Sequence, residues 1–335
     1  MLYRYTLPAA ALGLAATMAQ ADPPHIAADI LPTHGLVAAV TGDRTAPDLL
    51  VPPGASPHHA ALRPSQARAL AGADLMVWIG PSLSPALATA RESLASGATV
   101  LTLSEVPGTV ARESRPGGVF AVDGDDHGHD DDHGHDDDHS HDEDHAHDDD
   151  HAHDHADDHD HGPIDPHMWL DPENARAWLD AIAGALADLD PEGAEVYRAN
   201  AETAKAAISE AERAAAERLA GAAERPFLVD HDSLLYFEER FGLTVAGALS
   251  ASDADRPGAA RASALRAAAA ERGVACLLLS PEGRGGPAEA LAQDAGLAVV
   301  VADPLGAALE PGPGHYPALM AHLSQAVADC TAPGG

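Results

Sequence analysis

The chain has 335 residues, 53 acidic against 19 basic side chains, 21 histidines and only two cysteines. A formal charge of −34 makes nucleic acid a poor partner and a cation a good one. One segment, residues 123–160, carries 18 Asp and one Glu with no Lys or Arg, so the remaining chain is only moderately acidic.

The first elements concern export. Arg4 precedes a short apolar stretch over residues 7–18, and Ala19-Gln20-Ala21 reads as an A-x-A cleavage site. A signal peptide over 1–21, cleaved after Ala21, is therefore expected, with a periplasmic mature chain. About 314 residues then remain, enough for two compact domains. No later apolar run reaches the roughly 18 residues of a transmembrane helix, so no membrane insertion is expected after cleavage. In an oxidising compartment Cys276 and Cys330 suggest one disulfide, the alternative being two free thiols.

Strand and helix patterns then alternate. Strands are predicted over 25–31, 48–51, 74–79 and 99–103, with helices over 32–42, 64–72 and 84–96. Residues from about 113 to 162 hold almost no apolar side chains and cannot offset the entropy of ordering, so a disordered insertion is expected. Helices follow over 172–189 and 191–221, the second rich in Ala, Glu and Arg without internal Gly or Pro. Strands at 226–229, 243–246, 275–279 and 297–301 then alternate with helices at 234–241, 258–272, 287–295 and 317–330. The fold class is α/β: two lobes, each a parallel sheet flanked by helices, joined by a long rigid helix. The division reads 22–190 for the first lobe, 191–224 for the linker and 225–335 for the second.

Three histidines share a setting. His58 follows the 48–51 strand in Gly54-Ala-Ser-Pro-His-His59. His167 precedes a helix in Asp165-Pro-His-Met-Trp-Leu170. His231 follows the 226–229 strand in Asp230-His-Asp-Ser233. Loops past the carboxyl ends of parallel strands line ligand crevices, and imidazole is a favoured zinc donor. A cleft between lobes would bring such loops together. His34 lies in a strand-to-helix loop with a route to that cleft. His25, His315 and His322 have no such context and read as surface or core residues.

These segments resemble those of the zinc-uptake solute-binding proteins that feed ABC transporters. The likeness rests on Gly54-Ala-Ser-Pro-His-His-Ala-Ala-Leu-Arg-Pro-Ser65, Asp165-Pro-His-Met-Trp-Leu-Asp-Pro172, Asp230-His-Asp-Ser-Leu-Leu-Tyr-Phe-Glu-Glu-Arg-Phe-Gly242 and Ala302-Asp-Pro-Leu-Gly306. It spans the mature chain in order, including the acidic insertion and the cysteine pair. It implies that His58, His167 and His231 bind Zn²⁺, His58 rather than His59 taking the first position. Some zinc members place a Glu before that histidine; here it is Pro57. Asp303 or a water then remains for the fourth position. It also implies an inner-membrane permease as partner, a monomer and no enzymatic turnover. Three imidazoles favour zinc over manganese, whose binders in this family generally carry a carboxylate at the third position. Manganese or nickel binding on the same fold, or a zinc hydrolase, are the alternatives; no H-E-x-x-H or G-x-S-x-G pattern supports the last.

The insertion adds His127, His129, His133, His135, His139, His141, His145, His147, His151, His153, His155, His159 and His161. Interleaved with Asp, they read as many weak accessory sites that raise the local zinc concentration.

Overall fold

The computed structural model describes residues 22–115, 118–120, 164–251 and 258–332. The expected leader and the thirteen insertion histidines lie outside the described residues. Two sheets organise the rest. The first contains β1 (Ile26–Ala28), β2 (Asp48–Leu49), β3 (Leu75–Trp78) and β4 (Thr99–Thr102), all parallel, in the order β2-β1-β3-β4. The second contains β5 (Gly118–Val119), β6 (Phe227–His231), β7 (Val245–Ser250), β8 (Cys276–Leu279) and β9 (Ala298–Val301), in the order β5-β7-β6-β8-β9. Only β5 runs antiparallel to its neighbour. Without β5 the two sheets have the same strand order.

Helices cover the sheets: α1 (Leu31–Thr41), α2 (Pro64–Ala71), α3 (Pro85–Leu94), α4 (Pro172–Leu189), α5 (Ala194–Leu219), α6 (Leu235–Phe241), α7 (Ala259–Arg272), α8 (Pro287–Ala295) and α9 (His315–Cys330). Proline opens α2, α3, α4 and α8, where its missing N–H would have no partner in the helix anyway. The parallel α/β expectation therefore holds.

The core follows from strand alternation. Phe227, Val229 and Leu278 face a large cluster shared with Ile26, Val77, Trp178, Tyr197 and Leu319. Leu228, Leu277 and Leu279 face the opposite way, onto Leu265 of α7 and Leu291 of α8. The large cluster is continuous from one sheet to the other. Helix α5 has 26 residues and is about 39 Å long. Its buried residues Tyr197, Ala201, Ile208, Ala215 and Leu219 recur at helical spacing, and it packs on α4, α9 and α1. The cysteines pair, with Cα atoms 5.5 Å apart at a sequence separation of 54, tying β8 to the end of α9.

Some boundaries differ from the sequence expectation. The strand predicted to end at Val229 continues through His231, which pairs with Ser250 of β7. Polar residues at a sheet end read as loop in sequence, yet here they complete the ladder. His34 lies within α1, as the helix predicted over 32–42 requires, so its reading as a loop residue does not hold. The beginning of the expected insertion is also structured. Glu113 bridges Ile164, and β5 adds to the edge of the second sheet. Gly247 on β7 permits this, because a side chain there would collide with the Gly118 carbonyl and with Leu265. Arg115 fixes the same segment. Its guanidinium lies 4.1 Å from the Phe120 ring centre and donates two hydrogen bonds to Asp232, at 2.9 and 2.7 Å.

Candidate metal centre

Three separate elements bring imidazoles to one place. His58 sits in the loop after β2, where its N–H donates to Ser56 Oγ at 3.2 Å. Pro57 is buried, His58 half-buried and His59 exposed, so the first histidine of the pair faces inward. His231 ends β6 and is buried. His167 lies between them just before the short 3-10 turn Met168–Leu170, and is 2 % exposed. Its ring centre is 5.5 Å from that of His58 and 5.7 Å from that of His231. The three line one pocket with Ser56, Pro57, Trp169, Glu282, Asp303, Pro304 and Leu305. The space inside is about 20 Å³, room for one water or a single ion. Among the described residues no three His, Cys, Asp or Glu side chains already stand as a closed metal cage; the imidazoles approach as packed rings.

Carboxylates orient the buried rings. Asp165 Oδ1 accepts both the backbone N–H of His167, at 2.7 Å, and a hydrogen bond from its Nδ1, at 2.8 Å. A proton held on Nδ1 leaves Nε2 as the lone-pair nitrogen, the second-shell arrangement common behind metal-bound histidines. His231 Nδ1 is 3.6 Å from Asp230 Oδ1. Burial alone would raise the Asp230 carboxyl, but the neighbouring His231 ring and hydrogen bonds from Ser280 hold it below the usual carboxylate range.

The segment carrying His167 is pinned from three sides. Tyr236 of α6 donates its hydroxyl to the Asp165 carbonyl at 2.9 Å. Tyr316 of α9 donates to the Trp169 carbonyl at 2.7 Å, and the Trp169 indole donates to the Pro304 carbonyl at 2.8 Å. Asp171 caps α4, accepting the Glu173 N–H at 2.9 Å, and is paired with Arg240.

Asp303, the fourth residue singled out in sequence, also reaches the pocket. Its Oδ1 accepts the Leu305 N–H at 2.9 Å and its Oδ2 the Ala307 N–H at 2.6 Å, closing a turn. His34 does not line the pocket; its Nε2 lies 3.1 Å from the Pro47 carbonyl, and burial lowers its pKa. Two histidines with no functional context in sequence support the wall instead. His322 Nε2 accepts the Asp303 N–H at 3.2 Å, and His315 Nε2 is 3.0 Å from the Leu305 carbonyl. Burial lowers the His315 pKa. Glu282 and Trp169 were missed as lining residues: a lone Glu in a Gly-rich turn carries no motif, and Trp169 reads as core.

Two α/β sheets joined through a shared core, with side chains from both converging on an ion-sized pocket, define a two-lobed binding fold. The family model described as zinc-uptake complex component A, periplasmic (ZnuA) matches residues 26–330, and the chain belongs to that family. It is 44 % identical over 325 residues to the high-affinity zinc uptake system protein ZnuA of Paracoccus denitrificans, covering 96 % of each chain. It is 37 % identical to the Brucella abortus protein of the same name, covering 91 % of each. A crystal structure of a zinc-bound ZnuA carrying a deletion of its residues 138–173 shares the fold, with a TM-score of 0.72 at 20 % identity, over 94 % of this chain and all of that one. No described helix is long and apolar enough to cross a membrane.

Proposed function

We propose that this protein captures one Zn²⁺ ion in the pocket between its sheets, through the imidazoles of His58, His167 and His231, and delivers it to the permease of an inner-membrane ABC transporter. The carrying observation is the spacing of the rings. Four-coordinate zinc with Zn–N bonds near 2.0–2.1 Å sets neighbouring imidazole centres about 5 Å apart. The distances of 5.5 and 5.7 Å lie only a few tenths of an ångström beyond that. A modest inward movement closes the set. The names of the curated relatives, high-affinity zinc uptake proteins, support the same reading.

Three neutral nitrogen donors suit zinc better than manganese. Asp165 holds His167 in the tautomer such a site needs. Asp303 or a water is left for the fourth position. The acidic insertion gathers zinc at accessory sites, the leader is removed after Ala21, and the mature chain, with lobes at 22–190 and 225–335 around a linker at 191–224, works as a periplasmic monomer without turnover. Protons compete for imidazole nitrogen, so affinity falls as pH drops below about 6.5.

His167→Ala tests the site. At half an equivalent of Zn²⁺, competition against a chromophoric chelator should show affinity lowered by more than about 100-fold, beyond the range of second-shell changes. Unchanged affinity would remove the three-histidine assignment.

A further inference from the structure

His231 is held through both of its neighbours in sequence, and by different parts of the chain. Behind it, Asp230 accepts two hydrogen bonds from Ser280, just past β8. Ahead of it, the chain turns sharply out of β6. The Ser233 N–H donates to the His231 carbonyl at 2.9 Å, and the Asp232 N–H to the Ser250 carbonyl of β7 at 3.2 Å. Those bonds hold the backbone of the turn. The Asp232 side chain is only 3 % exposed, and a buried carboxylate needs a partner of opposite charge.

Arg115 is that partner, 117 positions earlier in the chain. It lies between the Glu113–Ile164 bridge and β5, on the first stem of the acidic insertion. Its Nε donates to Asp232 Oδ2 at 2.9 Å and its Nη2 to Oδ1 at 2.7 Å. Such a two-pronged contact fixes the plane of the carboxylate as well as its distance. The guanidinium is fixed in its turn. The Phe120 ring centre lies 4.1 Å from it, and Glu238 Oε2 of α6 lies 2.8 Å from its Nη2. Glu238 Oε1 accepts the Val245 N–H at the start of β7, at 3.0 Å. Arg115 thereby ties the stem, α6 and the turn after β6 into one unit. Arg112 on the same stem provides a contrast: its side chain pairs with the exposed Glu239 of α6.

We infer that Arg115 is a positioning residue for the pocket, setting the turn that carries His231 through its two-pronged hold on Asp232. This rests on the three-histidine reading above.

The test measures zinc affinity of the full mature chain by chelator competition at half an equivalent of Zn²⁺, with urea unfolding of each variant in parallel. Arg115→Ala is expected to lower affinity about 10-fold, the lower end of the range for outer-shell partners of a metal-bound histidine. Asp232→Asn should lower it by a similar factor. In the Asp232→Asn background, Arg115→Ala should add less than about twofold, because both changes break one contact. Arg115→Lys keeps the charge without the fork and should recover only part of the loss, and it serves in place of Arg115→Ala should that variant fail to fold. Arg112→Ala should stay within about twofold of the parent. Loss of stability alone would move the unfolding midpoint without producing this pattern. The role of Arg115 is overturned if Arg115→Ala or Asp232→Asn keeps the parent affinity while His167→Ala loses it. It is overturned equally if Arg115→Ala acts in full without Asp232, or if Arg112→Ala weakens zinc as much. If His167→Ala keeps the parent affinity, the three-histidine site falls, and the role of Arg115 with it.

Discussion

The two sheets solve the same problem with the same device and put it to different uses. In the first, Asp29 follows central strand β1 and accepts the N–H of Ile79, just past neighbouring β3, at 2.8 Å. In the second, Asp230 lies in central strand β6 and accepts the N–H of Ser280, just past neighbouring β8, at 3.1 Å. Each carboxylate fastens the ends of two adjacent parallel strands. Asp29 is fully buried, and the next residue is Ile30. Desolvation raises its pKa to about 6, against hydrogen bonds from the N–H groups of Ile79 and Ile30. Asp230 is followed by His231, which helps hold it in the charged form. The same fastening thus precedes an apolar core residue in one lobe and an imidazole that lines the pocket in the other. Architecture alone does not distinguish them; the residue that follows does.

The comparison breaks most easily at Asp29. Asp29→Ala leaves two buried N–H groups without their acceptor, and we expect about 3 kcal/mol of stability to be lost by urea unfolding. Zinc affinity of the folded fraction should be unchanged; a large fall in affinity would mean the two fastenings are not separate in function.

The sign of the pH effect sharpens the same point. The folded Asp29 pKa lies above the value near 3.9 of an unfolded chain. The folded state therefore binds the proton more tightly, and this group's contribution to stability declines as pH rises from about 4 to about 6, then stays level. Across that window the wild type should lose about 2 kcal/mol relative to Asp29→Asn. A constant gap between the two unfolding curves would contradict this.

Asp230→Ala should act in the opposite sense. It removes the support of His231 and of the Ser280 turn, and zinc affinity is expected to fall about 10- to 100-fold. Equal affinity in the chelator competition would make Asp230 as purely structural as Asp29. The smallest effect is expected at His59→Ala. His59 is exposed and outside the pocket lining, so affinity should change less than about twofold, within the range of surface substitutions.

Much of this was legible in sequence. Helices α4 and α8 begin and end where Pro172 and Pro287 and the following apolar spacing place them. The three histidines were singled out from their loops and Asp303 from the family resemblance, and all four line one pocket. What stayed hidden depends on partners far along the chain. Strand β5 has two residues and exists because Gly247, more than 100 positions later, leaves room for it. Glu282 lines the pocket from a turn that Ser280 holds against Asp230, a pairing across two strands. His322 reads as a surface residue until the Asp303 N–H is found against its ring. The strand order likewise rests on pairings between strands distant in sequence, which local periodicity does not encode.

The Cys276–Cys330 bond has a consequence for the pocket wall. Helix α9 is tethered to β8 at its last residue by that bond, while its first two residues, His315 and Tyr316, brace Leu305 and Trp169 at the pocket about 20 Å away. A chain with reduced thiols holds the far end of this strut by packing alone, through buried Leu323 and Val327. Oxidation adds a covalent tether to that packing at the end of the helix away from the pocket, so the helix that braces the wall is anchored both by burial and by a bond.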